Sequence, residues 1–116
     1  MSHIKVSHLL RVMAAVALTS GAMAVQAQDV NVAAAEELLL ANKCAKCHSV
    51  DKKKDGPSFK VTAAKYKGKA DGEAKLFTHL TTAPMVEIDG VKEEHQKIKA
   101  KDDAVVKNLV KYILSR

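Results

Sequence analysis

A chain of 116 residues has room for one domain with a modest core. Its 19 basic and 13 acidic residues give a formal charge of +6, but the two signs interleave without a long basic stripe, which argues against a nucleic-acid-binding surface. Two Phe, two Tyr and no Trp are a thin aromatic stock, and small domains supplied this way often depend on a metal or a covalent cofactor as a staple.

Residues 1–27 read as a secretory signal. Lys5 and Arg11 form a positive start, and Val12 to Val25 is uncharged and mostly Ala, Val, Leu and Met. Val25-Gln26-Ala27 sets small residues at the third and first positions before a cut after Ala27. A cut after Ala24 is the second choice. An uncleaved anchor is disfavoured, because the apolar run falls short of the ~20 residues a bilayer span needs. Removing 27 of 116 residues, with Lys5 and Arg11 but no acid among them, leaves a mature domain of 89 residues (28–116) and lowers the charge from +6 to +4. His3 and His8 go with the signal. Export of this bacterial type predicts a periplasmic protein with no stable membrane insertion once the signal is cut.

The first helix is expected from about Val32 to Cys44, with Asn31 as N-cap and a run of Ala and Leu as strong helix formers. It leads into Cys44-Ala45-Lys46-Cys47-His48, which holds the chain's only two cysteines. C-x-x-C-H is the attachment pattern for haem c. Two thiols at this spacing can add to the two vinyl groups on one porphyrin edge, and the next residue then offers an imidazole to the iron. A thioredoxin-like pair usually accompanies a βαβ pattern, which is missing before Cys44. A structural zinc site wants four ligands, and only three stand here. A plain disulfide gives no reason for His48.

From Ser49 to Ser58 the chain is polar and ends in Gly56-Pro57, so it reads as a loop. Lys52-Lys53-Lys54 within it is a short solvated run. Two shorter helices are expected at Phe59 to Tyr66 and at Glu73 to Thr82, the latter opened by Asp71 or Gly72. Leu76, Phe77 and Leu80 give it one apolar edge, and His79 rides on it as a partly exposed residue with no role at iron. Pro84 to His95 carries Asp89-Gly90 between alternating residues, the signal of a two-residue hairpin. That turn pairs Ile88 with Val91, Val86 with Glu93, and Pro84 with His95. The last helix opens at Asp102 or Asp103, and Val106, Leu109, Val110, Ile113 and Leu114 form its buried stripe.

With these residues in place, the sequence resembles a class I c-type cytochrome over essentially all of residues 31–116. The match rests on the Cys44 to His48 motif after an N-terminal helix, on Pro57 nine residues past His48, on a ligand-bearing loop, and on an amphipathic last helix with Tyr112 near its end. The resemblance implies an all-α cytochrome c fold: about four helices around one covalent haem, with a short β-hairpin before the last helix. It also implies thioether bonds from Cys44 and Cys47, His48 as proximal ligand, and a Pro57 carbonyl accepting the His48 Nδ1–H. The first and last helices should cross.

The sixth ligand departs from the family pattern. The usual ligand is a methionine shortly before the last helix, but Met85 lies 17 residues before Asp102, whereas His95 lies seven before it. Side chains alternate faces along a strand, so the expected hairpin places Val86, Ile88, Val91 and His95 on one face, with Glu93 as a polar exception, and Met85 on the other. His95 is the favoured ligand and Met85 the alternative. Two strong axial ligands imply an electron carrier rather than an enzyme, cycling one iron between ferric and ferrous for redox partners with an acidic docking surface. The alternative is a gas-binding or sensing haem protein with an open or exchangeable sixth position.

Overall fold

Four helices and one hairpin follow one another in chain order, and the first, second and fourth helices each open on a capping side chain, whereas Asp71 before the third makes no capping hydrogen bond. The computed structural model describes residues 29–116, so the signal expected over 1–27 lies outside the described residues. Helix α1 spans Val32–Ala41, α2 Phe59–Tyr66, α3 Gly72–Thr82 and α4 Asp103–Leu114; strands β1 (Met85–Ile88) and β2 (Val91–Glu94) lie between α3 and α4. The Asn31 side chain accepts from Ala34 N–H at 3.0 Å, Ser58 caps α2 through Val61 N–H at 3.3 Å, and Asp102 caps α4 through Val105 N–H at 3.0 Å. Each satisfies one of the free N–H groups that open a helix.

Helix α4 is the hub, packing against α1, α2 and α3. Its Val106, Leu109, Val110, Tyr112 and Ile113 are buried against Ala35 and Leu38 of α1, Phe59 of α2, Leu76 and Leu80 of α3, and Ile98 of the segment before α4. Full burial of each large apolar side chain contributes about 1.5–3 kcal/mol, so this one stripe fixes where the other helices lie. The expected stripe is seen with one change: Tyr112 is buried and Leu114 only partly so. A reciprocal pair of hydrogen bonds adds direction to the crossing of the first and last helices. Asn31 N–H donates to Asn108 Oδ1 and Asn108 Nδ2 donates to the Asn31 carbonyl, both at 2.9 Å.

Helix α1 ends earlier than the expected Cys44. Asn42 caps it, Lys43 adopts the left-handed conformation at φ 55°, and Cys44–Lys46 forms a separate 3₁₀ turn. The run of helix formers carries no information about that reversal, which depends on distant partners of Asn42. The hairpin register agrees with expectation: Val86 pairs with Glu93 and Ile88 with Val91, and His95 N–H donates to the Pro84 carbonyl at 2.8 Å. Asp89 and Gly90 both have positive φ, at 51° and 82°, as a tight turn matching strand twist requires. The shared apolar face is narrower than expected. Val86 and Ile88 are half-buried, but β2 is exposed throughout, Val91 included. One strand of the ribbon lies against the body and shields its partner little.

Candidate haem site

His48 is oriented by the turn that precedes it and the loop that follows. Its backbone N–H donates to the Cys44 carbonyl at 3.0 Å, closing the motif into a turn, and Gly56 N–H donates to the Cys47 carbonyl at 2.8 Å, folding the loop back over it. The His48 Nδ1–H donates to the Pro57 carbonyl at 2.7 Å, so Nε2 keeps the lone pair. Such a contact fixes both tautomer and ring direction. Gly56 has to be glycine here: a Cβ on it would stand 2.5 Å from His48 Cε1 and 2.9 Å from Nδ1. Phe59 stacks on the imidazole with centroids 5.6 Å apart, and Tyr112 meets Phe59 edge-on at 6.5 Å. Tyr112 thus backs the proximal side, and its hydroxyl donates to Glu36 at 3.3 Å.

Across a cleft of about 240 Å³ lined by both cysteines, the hairpin and the segment after it, His95 faces His48. The two ring centroids are 6.1 Å apart. Two metal–imidazole bonds of about 2 Å each, with half a ring's width on either side, would fill such a separation. Burial, and secondly the neighbouring His48, holds the His95 pKa below its ordinary value, in the direction of the neutral ring that a metal ligand requires. Met85 lies at the far end of β1 with 62% of its surface exposed and does not line the cleft. Of the two residues singled out for the sixth position, the fold brings His95 into the cleft and leaves Met85 outside it.

Cys44 and Cys47 are unpaired and half-buried, and burial pushes the Cys44 thiol up. Among the described residues no three His, Cys, Asp or Glu side chains gather closely enough to hold a metal ion by themselves. Two opposed imidazoles, two free thiols at one edge and the half-buried Val86 and Ile88 on one wall fit haem c, which brings its own four equatorial nitrogens. A larger hollow of about 640 Å³ between α3 and α4 contains none of these groups. It has no part in this chemistry.

Two residues at the site were not legible in the sequence. Asn42 is 3% exposed. Its Oδ1 accepts from Lys99 N–H at 2.8 Å, its Nδ2 donates to the Lys99 carbonyl at 3.1 Å and to the Leu38 carbonyl at 3.0 Å, and its own carbonyl accepts from Gln96 Nε2 at 2.9 Å. It ties the end of α1, two residues before Cys44, to the segment that carries His95. Ile98 N–H donates to the Leu80 carbonyl at 2.8 Å, a second tie for the same segment. The other is His79. It is half-buried with its ring against His95, and its pKa is lowered first by burial, then by His95, His48 and Lys65. A polar amide before the motif was the available signal for Asn42; for His79 there was none.

The Cytochrome c family profile matches residues 32–116 of this chain. Cytochrome c-551 of Pseudomonas denitrificans is 49% identical over 47 residues, which is 40% of this chain and 57% of that protein. Cytochrome c-551 of Pseudomonas aeruginosa is 49% identical over 41 residues, 34% of this chain and 39% of that protein. The matched stretches therefore span less than two thirds of these relatives. Among solved structures, the class 1 cytochrome MtoD from Sideroxydans lithotrophicus superposes with a TM-score of 0.70 at 49% identity, covering 75% of this chain and 97% of that one. Cytochrome c552 of Nitrosomonas europaea superposes with a TM-score of 0.56 at 29% identity, covering 69% of this chain and 96% of that one.

Proposed function

The chain belongs to the cytochrome c family and carries covalent haem c through Cys44 and Cys47, and from that premise we propose that it is a periplasmic electron carrier with His48 and His95 as its two axial ligands. The observation that carries the reading is the 6.1 Å opposition of the two imidazoles across the cysteine-lined cleft. Bound haem supplies a one-electron ferric/ferrous couple. The protein's part is to hold that couple still. The Pro57 carbonyl orients His48, Phe59 backs it, and Asn42 pins the segment bearing His95. With His48 and His95 both on the iron there would be no open position for substrate. The protein accepts and releases single electrons without making bonds, which is the work of a carrier rather than an enzyme. Two imidazoles also favour a lower potential than a histidine–methionine pair, because a thioether raises the potential of a c-type haem.

Export rests on the signal read at residues 1–27, and the mature domain on its cleavage. The partner is a redox protein with an acidic docking surface. Lys43 lines the cleft beside the cysteines, and Lys46 and Lys52, near them in sequence, are exposed, although Asp55, Glu87, Glu93 and Glu94 also line the cleft. Exchange through the lysine side slows as salt rises, since exposed charges are screened beyond about 10 Å at 0.1 M.

A pair of variants tests the ligand assignment. His95→Ala is expected to give high-spin ferric spectra and rapid binding of added imidazole, while Met85→Leu leaves both optical spectra unchanged. The reverse pattern would move the sixth ligand to Met85.

A further inference from the structure

The two imidazoles that oppose each other across the cleft are held by different means. The His48 ring is fixed twice, by the Pro57 carbonyl at 2.7 Å and by its stacking on Phe59. The His95 ring lacks such an anchor, because its Nδ1 is buried without a hydrogen-bond partner. No main-chain or side-chain group reaches hydrogen-bond geometry at that nitrogen. The ring torsion of histidine is broad, so an imidazole without a hydrogen bond turns until packing stops it. The aromatic ring packed against His95 on its protein side is His79, at a centroid distance of 4.5 Å and an interplanar angle of 60°. His79 sits on α3 between the buried Leu76 and Leu80, so a helix rather than a loop carries it.

We propose that His79 is the positioning residue of the His95 imidazole and sets, by ring-to-ring contact, the 51° angle that His95 makes with His48. The proposal rests on the reading of His95 as sixth ligand. The contact acts through shape and ring electrostatics: edge-to-face pairs of planar rings favour centroid separations from about 4.5 Å upward. Its consequence is spectroscopic. The angle between two axial imidazole planes governs how the unpaired electron of low-spin ferric iron is distributed, and so governs the g values.

The test uses the ferric holoprotein and its His79→Ala, His79→Phe and His95→Ala variants, read by paramagnetic resonance and by the rate of exchange with added imidazole. His79→Ala is expected to stay low-spin with shifted or broadened g values and to exchange about tenfold faster, at the lower end of what lost outer support costs a metal site. His79→Phe keeps a ring but no nitrogen, and is expected to retain the parental g values and rate. Parental g values in His79→Ala would overturn the proposal. So would a His79→Phe protein that behaves like His79→Ala, which would give the role to a nitrogen instead of the ring, and so would high-spin iron in His79→Ala, which would make His79 a ligand. His95→Ala separates the two readings. A parental spectrum there removes the ligand assignment and this proposal together, whereas high-spin iron there beside parental His79→Ala removes this proposal alone.

Discussion

Asn42 shows how one side chain can join parts of the site that are far apart in sequence. An amide is costly to bury unless its hydrogen-bonding groups are used, and Asn42 uses both ends of its own on Lys99, 57 residues away. Asn42→Ala leaves the Lys99 N–H and carbonyl without those partners. The expected loss is about 2 kcal/mol, within the range for stranding partly buried polar groups, seen as a lower urea midpoint at an unchanged slope. An unchanged midpoint would show that water replaces the amide without cost. At this scale the legibility of the sequence followed chain distance. Cys44, Cys47 and His48 carry their meaning within five residues, and Pro57 lies nine residues from His48. Asn42 and His79 take theirs from contacts across the fold, which no local spacing encodes.

Elements were legible where their own residues decide them. Helices α2 and α4 begin where capping residues and apolar spacing put them, and the hairpin keeps the register that Asp89-Gly90 dictates. The end of α1 was not legible, because Ala, Leu and Asn alone give no reason for Lys43 to turn left-handed. The exposure of β2 was not legible either, since alternation names two faces without saying what covers them. The hairpin turn offers a clean test at this scale. A Cβ at Gly90 meets no atom within 4 Å, so Gly90→Ala is strained only by its φ of +82°. That conformation costs a non-glycine residue about 1 kcal/mol. A thermal melt of the holoprotein should fall by a few degrees with its low-spin spectrum kept. A melt equal to the parent's would mean that the turn does not contribute to global stability.

At the scale of the whole molecule, the class was legible in the sequence because the attachment motif, the helices and the last helix's stripe agree with one another. The pairing of surfaces had to come from the fold. The cleft between His48 and His95 is lined by both cysteines and by the hairpin, and haem held there would add a large apolar surface to a domain with few aromatic residues. Cys44→Ala combined with Cys47→Ala is therefore expected to leave a largely unfolded chain by circular dichroism. Native helicity and a cooperative melt without haem would contradict this. The 6.1 Å separation of the two imidazoles supports the proposal of a closed six-coordinate centre that only moves electrons. The most direct measurement is rapid mixing of the reduced holoprotein with carbon monoxide. The ferrous spectrum is expected to stay unchanged over seconds, because His95 must leave before the gas can bind. An immediate, saturable carbon monoxide adduct would show an open or exchangeable site and a protein that binds gas instead of carrying electrons.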